Sequence, residues 1–528
     1  MYSWILQNCQ IIDGTGAPGF HSDIGISGDK IARIGNLKNA ESEKTIDATK
    51  LVCAPGFIDM HSHSDLEALA NPREENKLSQ GVTTEIAGNC GYSLFPVTSN
   101  GKPAIKEMMK SFNKDIDIPW SNSKDYFDLL KKIKIGFNYY PLVGHGMLRL
   151  NTSGFYPEPS RGKNLKKMEK LLREEMENGC RGISTGLEYS PGCFSDTEEL
   201  TYLAKVTAEY GGIYATHLRD QAQNLLASIE EALEIGRKAE IPVVISHLKS
   251  YGVRNWGEAA KALEMIEKGK AEGLKVIADF YPYTASSTTM LHELPRWVIK
   301  GKPEEILERL SQQETRKKIS DEIRNNGELQ WSKIMITSLK SEKNKDFIGQ
   351  TITQISEKLG KDPDTTAYDL LIEEEGSIEI VADLMAEDDV NVIAQSPMTV
   401  VGSDAYALDI NKEFHGHPRN FATFPFFIQK YVRENKLLTI EEAIRKTSGA
   451  TADFLGLTDR GKLIENNKAD IVLFNPEQIS GDASYLNPGQ LSKGIRAVFV
   501  NGMLEYESEG DEIHFYRENA AGEILLNK

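Results

Sequence analysis

The chain has 528 residues, with 61 Lys plus Arg against 78 Asp plus Glu, a formal charge of −17. That acidic balance excludes a dedicated nucleic-acid binder or a polybasic membrane anchor, and hydrophobic residues at 40% with charged ones at 26% exclude wholesale disorder. No apolar run approaches the ~18 residues of a membrane span, and the length asks for more than one domain.

In chain order, about the first 50 residues predict short strands joined by hairpin turns. Ile24, Ile26, Ile31 and Ile34 flank a Gly28-Asp29 turn, and Asp13-Gly14 marks another bend. Between the ends, short apolar strands alternate with amphipathic helices. The strands predicted are 55–63, 81–88, 139–146, 182–189, 213–220, 242–250, 275–283 and 400–404. Leu225, Leu226, Ile229, Ala232 and Ile235 recur at helical spacing, as do Leu200, Leu203 and Tyr210. Eight such repeats predict an α/β fold, a closed (β/α)8 TIM-type barrel over 55–461, although an open doubly wound sheet shows the same alternation. After strand seven the spacing breaks. Residues 284–338, with Pro295, Trp297 and charged helical stretches, read as an insertion on the loop side, a place for a lid or substrate wall. The last stretch returns to strands: ADIVLFNP (469–476) precedes IRAVFVNGMLEY, where Asn501-Gly502 signals a hairpin. Neither end can build a core alone, so 1–54 and 462–528 are expected to pair into one small β-sandwich domain.

The five cysteines (Cys9, Cys53, Cys90, Cys180 and Cys193) are odd in number and form no CxxC. They read as reduced thiols of a cytoplasmic protein. The first basic residue is Lys30, so no secretory signal is expected.

In a barrel, chemistry sits at the carboxyl ends of the strands. Strand one ends in His61-Ser62-His63, and i, i+2 imidazoles on a strand face the same way. Alone the spacing carries little, because the chain holds a second pair, His415 and His417. Its company changes that. Strand five ends in His217, strand six in His247, and strand eight in Ser403-Asp404, while strand two runs into Gly88-Asn89-Cys90-Gly91. Each has a bland reading, since a buried Cys is usually core and a loop Asp usually a turn or cap. Six together at predicted strand ends point to metal-centred hydrolysis. Imidazole, thiolate and carboxylate are the ligand set of zinc, and six candidates exceed one tetrahedral site, which leaves room for two ions sharing Cys90. A thiolate and a carboxylate bring two negative charges against four positive ones from two ions, a strongly electrophilic site.

APGFIDMHSHSD resembles the signature of the amidohydrolase superfamily. SQGVTTEIAGNCGYSLFPV, GISTGLEYSPG, YATHLRDQ, ISHLK, DFYPYTASST, HPRNFATFP and ADIVLFNP are similar to the N-acyl-D-amino-acid deacylases, or D-aminoacylases, over nearly the whole chain. Most of the superfamily bridges its metals with a carbamylated lysine, whereas this group uses the cysteine of the NCG turn. In keeping with that, no lysine lies between Lys170 and Lys205. Glu188, at the end of strand four, is either a substitute ligand or a polar barrel-top residue.

The resemblance implies a tightly held zinc on Cys90, His217 and His247. It implies a weaker second position on His61, His63 and Asp404, with Cys90 bridging. Asp404 becomes the general acid/base for a metal-bound hydroxide attacking the amide carbonyl. Tyr189, Lys249, Tyr281, Ser287 and Arg419 become the contacts of a small N-acyl-amino-acid substrate, Arg419 from a loop after strand eight. His415 and His417 are taken as structural. Two departures stand near the pocket: Ala405 where the family has Gly, and Ala422 where HPR continues to Gly-Thr-Phe. Each removes backbone freedom and bears on substrate range. Asn467, where relatives carry Gly, tolerates a left-handed turn. The rival readings are a cyclic amidase of the hydantoinase or dihydroorotase kind, against which the missing lysine counts, and an inactive amidohydrolase-like binding protein, against which the six ligand candidates count.

Overall fold

The first barrel strand, Phe57–Asp59, pairs in parallel with Val82–Ala87, and that with Asn138–Pro141. The third strand continues as Val143–Gly144 and pairs with Gly182–Gly186, followed by Ile213–His217, Val243–Ile245, Val276–Phe280 and Thr399–Val401, all parallel. Strand eight returns to strand one through a parallel bridge between Ser62 and Ala405 and through Asp404 N to His61 O at 2.7 Å. The ring therefore closes. The structure, a computed structural model, describes residues 1–111, 117–327, 329–510 and 512–527.

Sequence pattern explains the layers. Ile58, Ile86, Tyr140, Ile213, Ala215, Val244, Ile277 and Val400 form one buried cluster contributed by the barrel strands. The helix Leu225–Ala239 buries Leu225, Ile229, Ala232 and Ile235 and stops at Glu240 in the left-handed region. The helix Thr197–Ala208 starts where Asp196 accepts the Glu199 N–H at 3.0 Å, satisfying one of its orphan donors.

Two expectations are corrected. The insertion does not end at 338. Ser286–Thr289 and Ile334–Leu339 do not pair with each other; both flank Ile378–Ala382 in an antiparallel sheet. Two edge strands need their shared middle strand, so the module runs to Ala382, with its own core of Met290, Val298, Leu310, Ile334, Ile352 and Ile380. The terminal β region, in turn, is one hydrogen-bonded sheet of nine strands and not two separate sheets, eight of them along one path and Ser42–Asp47 branching from Tyr2–Ile11. Val52–Pro55 pairs antiparallel with Ile471–Phe474, joining the two ends of the chain. Trp4 and Phe499 sit on strands three steps apart along that path, about 14 Å if the sheet were flat, yet their rings are 5.3 Å apart. The sheet folds over on itself and makes both layers. Asn501 and Gly502, at φ +46° and +79°, form the expected tight turn between two of its strands.

A buried ion pair ties this sheet to the barrel. Arg460 Nη1 lies 2.6 Å from Asp470 Oδ2, and Asn138 of barrel strand three donates to the same oxygen at 3.0 Å. Removing only the cation leaves a buried carboxylate uncompensated, which costs about 3–5 kcal/mol. Arg460→Met should therefore lower the thermal unfolding midpoint clearly, and Arg460→Met/Asp470→Leu should recover much of the loss. A single variant that melts with wild type would remove the pair from this role.

Candidate functional site

Every residue singled out from the sequence as a ligand or substrate contact lies at the carboxyl-terminal mouth of the barrel. Cys90 is the centre. It stands at φ +53° between Gly88 and Gly91, both also at positive φ. A Cβ on Gly88 would meet Leu142 O at 2.3 Å, so only glycine lets the turn sit this close to strand three. The turn places Cys90 Sγ 3.3 Å from His61 Nε2, 3.5 Å from His247 Nε2 and 3.7 Å from His217 Nδ1.

Two groups of ligand atoms, each within 4.8 Å of one another, share this sulfur: His61, His63, Cys90 and Asp404, and Cys90, His217 and His247. Tetrahedral zinc with bonds of ~2.3 Å to sulfur and ~2.05 Å to nitrogen sets the two atoms ~3.6 Å apart. The observed spacings fit that span. Burial alone would raise the Cys90 thiol, but His61 and then His217 and His247 hold it well below the usual thiol range. A thiolate surrounded by imidazoles is the donor set a soft-to-borderline cation takes.

The imidazoles are oriented from behind. His217 Nε2 lies 2.7 Å from Glu188 Oε2, so with its N–H on that side it presents Nδ1 to Cys90. Glu188 is in neither ligand group and pairs with His217 from outside them. Gln221 also reaches His217 Nε2 at 2.9 Å and places its Oε1 3.3 Å from His247 Nδ1. Asp279 accepts the His247 backbone N–H at 2.8 Å and lies 3.4 Å from His61 Nδ1. The sequence reading missed Asp279 and Gln221, although both lie in quoted motifs. Asp279, inside barrel strand seven, was within reach of the strand-end rule.

His61 and His63 stand beyond strand one, which ends at Asp59, so the strand alternation invoked for them does not apply. They meet instead at Asp404 Oδ1, with His63 Nε2 at 3.1 Å and His61 Nε2 at 3.6 Å. Burial opposes protonation of His63, yet Asp404 and Cys90 push it up to about 9. Burial would raise Asp404, but Arg419, then His63 and His61, hold it well below the usual carboxylate range.

Arg419 is not in a loop. It opens the helix Arg419–Ile428, buried, with Nη1 2.8 Å from Asp404 Oδ2 and the guanidinium over Tyr281 at 5.1 Å. Its Nη2 points at Ser287 O at 3.4 Å. Lys249 Nζ lies 2.9 Å from His247 Nδ1 and 3.0 Å from Gln221 Oε1, and burial pulls it down to about 8. Two adjoining cavities of about 60 Å3 share Tyr189, Ser287, Thr288, His292 and Asp404. Arg419 lines the first, and Lys249 and Tyr281 line the second. His292, edge-on to Tyr189 at 4.4 Å, comes from the insertion, where no strand-end rule applies. His417 is buried, its Nε2 2.9 Å from Ala285 O, and His415 is exposed beside Glu413.

Comparison with known proteins follows the same line. Residues 44–279 match the model of the Amidohydrolase family. A D-aminoacylase of Alcaligenes xylosoxydans xylosoxydans is 32% identical over 96% of this chain and 95% of its own, and an N-acyl-D-glutamate deacylase of that organism is 33% identical over 94% and 92%. A solved D-aminoacylase with a binuclear metal centre superposes with a TM-score of 0.83 at 30% identity, covering 100% of both chains. An N-acyl-D-glutamate deacylase of Bordetella bronchiseptica, complexed with zinc and a phosphonate inhibitor, gives the same score and identity over 99% of each. The L-hydantoinase of Arthrobacter aurescens, at 14% identity and a TM-score of 0.55, shares the fold alone. Among the described residues no helix is long and apolar enough to cross a membrane.

The geometry around Cys90 makes a prediction independent of turnover. In metal-stripped protein the thiolate should persist at pH 7, where an ordinary thiol is ionised only to a few per cent. The ultraviolet difference between wild type and Cys90→Ala reads it directly. A difference that emerges only above about pH 8.5, the unperturbed thiol value, would contradict the depressed pKa.

Proposed function

Since the chain belongs to the D-aminoacylase family of amidohydrolases, we propose that it is a zinc-dependent hydrolase of N-acyl-D-amino acids, releasing a D-amino acid and a carboxylate. The observation that carries this is the Cys90 sulfur within 3.3–3.7 Å of three imidazole nitrogens. Cys90, His217 and His247 would hold one zinc. His61, His63 and Asp404 would hold a second, with Cys90 shared. Zinc, when bound, supplies a Lewis acid that polarises the amide carbonyl and acidifies a water.

The chain's own groups supply the rest. Asp404, ionised beside Arg419, accepts a proton from the attacking water at Oδ1 or Oδ2 and returns it to the leaving amine. Arg419 binds Asp404 through one nitrogen, which leaves other donors of its planar fork for the substrate's α-carboxylate. Lys249 and Tyr281, in the adjoining cavity, complete that clamp, and Tyr189 walls the acyl side. A carboxylate held at fixed distance from the scissile amide fixes two substituents of the α-carbon, and the room left for the side chain on one face then selects the hand. The D preference itself comes from the relatives.

Kinetics on paired N-acetyl-D- and N-acetyl-L-amino acids, with zinc measured on the same samples, test the reading. The D series should turn over, with one to two zinc per chain, and Cys90→Ala should lose zinc and activity together. Turnover of L substrates alone, or unchanged zinc in Cys90→Ala, would overturn it.

Asp404→Asn keeps the shape but cannot accept the proton. Its kcat should fall by at least ~10²-fold, the low end for general-base catalysis, while the zinc on Cys90, His217 and His247 stays. Turnover within a few-fold of wild type would move the base elsewhere.

A further inference from the structure

None of the residues beneath the His61–His63 segment lines either cavity, yet they form a second buried charge cluster. Lys77, on the short helix Glu75–Leu78, is 1% exposed, and Asp59, Glu74 and Glu85 around it are wholly buried. Lys77 Nζ donates to Asp59 Oδ2 at 2.6 Å, to Ser403 Oγ at 2.9 Å and to Ser62 Oγ at 3.5 Å, and lies 3.3 Å from Glu85 Oε1. Those three hydrogen bonds use the three donors an ammonium has. Asp59 Oδ1 in turn accepts the backbone N–H of Ser403 at 2.7 Å and that of His61 at 3.3 Å. Ser62, between the two histidines, donates its hydroxyl to Glu85 Oε2 at 2.5 Å.

One lysine thus pins both segments that carry His61, His63 and Asp404. Ser403 immediately precedes Asp404, whose φ is +54°. A non-glycine residue in that region is strained and persists only where its surroundings over-determine it. Asp59 on the Ser403 backbone and hydroxyl, and His61 O on the Asp404 N–H, supply that determination. The other ligand group has partners that Lys77 does not touch: Glu188 on His217, Asp279 on the His247 backbone, Ser184 on the Gly91 N–H.

We infer that Lys77 is a positioning residue for Asp404 and the two histidines that follow strand one, acting through Asp59 and Ser403, and that the Cys90, His217 and His247 group stands without it. The inference rests on the proposed zinc-dependent deacylation. Removing partners of this kind from behind a metal ligand costs ~10–100-fold in affinity or activity. Lys77→Met and Ser403→Ala should therefore lose at least ~10-fold in kcat for an N-acetyl-D-amino acid. KM, and the affinity for the first zinc equivalent by chelator competition, should stay within about 3-fold, well below that range. Ser403→Ala keeps the ion pairs and carries the test if Lys77→Met does not fold, as circular dichroism would show. Folded variants with wild-type kcat would overturn the inference. So would equal losses in kcat and in the first zinc, which mark a general structural role. A wild-type chain without zinc or deacylation would sink the underlying reading instead, and the wild-type arm shows that by itself.

Discussion

Three non-glycine residues at the barrel mouth, Cys90, His247 and Asp404, hold φ of +53°, +36° and +54°. Each left-handed residue costs of order 1–3 kcal/mol, and such residues persist where function requires a direction the regular strand does not offer. A parallel strand delivers its side chains perpendicular to the sheet. To aim a thiol, an imidazole and a carboxylate at one point above the ring, the chain must leave the strand conformation at its last residue. Barrel strands one, six and eight are accordingly only three residues long. The remaining stability comes from the surrounding burial: strand cores with almost no exposure, and the backbone bonds that replace the lost ladder, such as Asp404 N to His61 O.

The same constraint explains the distribution of buried charge. A mouth that gathers Cys90, Asp404, Glu188 and Asp279 needs cations close by, because an unpaired buried carboxylate costs several kcal/mol. Arg419 answers Asp404 at 2.8 Å, Lys77 answers Asp59 at 2.6 Å, and the imidazoles answer Cys90. The folded terminal sheet and the insertion work at a distance from this. The sheet buries the outer surface of strands one and two, with Phe57 packed against Phe474. The insertion reaches over the mouth with its first strand and the following turn, through Ser287, Thr288 and His292, and with Glu379 of its middle strand.

What the sequence made legible was whatever repeats with a period or ends a strand. Eight apolar runs, and polar residues closing them, located the ring and its six candidate ligands without long-range information. Residues that act from a distance left no such trace. Lys77 reads as an ordinary helical lysine, because its importance lies in the Asp59 and Ser403 that the fold brings to it across 18 and 326 positions. His292 belongs to a module whose middle strand begins at Ile378, well after the second edge strand ends at Leu339, and a local reading of 284–338 stops short of that pairing. Arg419 does line the cavity, but its helix was missed, since the residue was read as part of a loop after Pro418. In the structure Pro418 is the residue before the first helical turn, where proline is well tolerated.

The absent lysine of strand four has a steric cause as well as a chemical one. That strand ends at Gly186, and a Cβ there would lie 2.1 Å from Cys90 O. The backbone of the Asn89-Cys90-Gly91 turn fills the space above the end of the strand, and Gly91 N–H donates to Ser184 Oγ at 3.0 Å, fixing the turn onto it. A side chain at Gly186 and this turn cannot occupy the same volume. The cysteine turn of strand two and a side chain at the end of strand four are therefore alternative ways of filling one position. Once the cysteine turn is seated, strand four is left with glycine at its end, and its nearest carboxylate, Glu188, is free to orient His217 from outside.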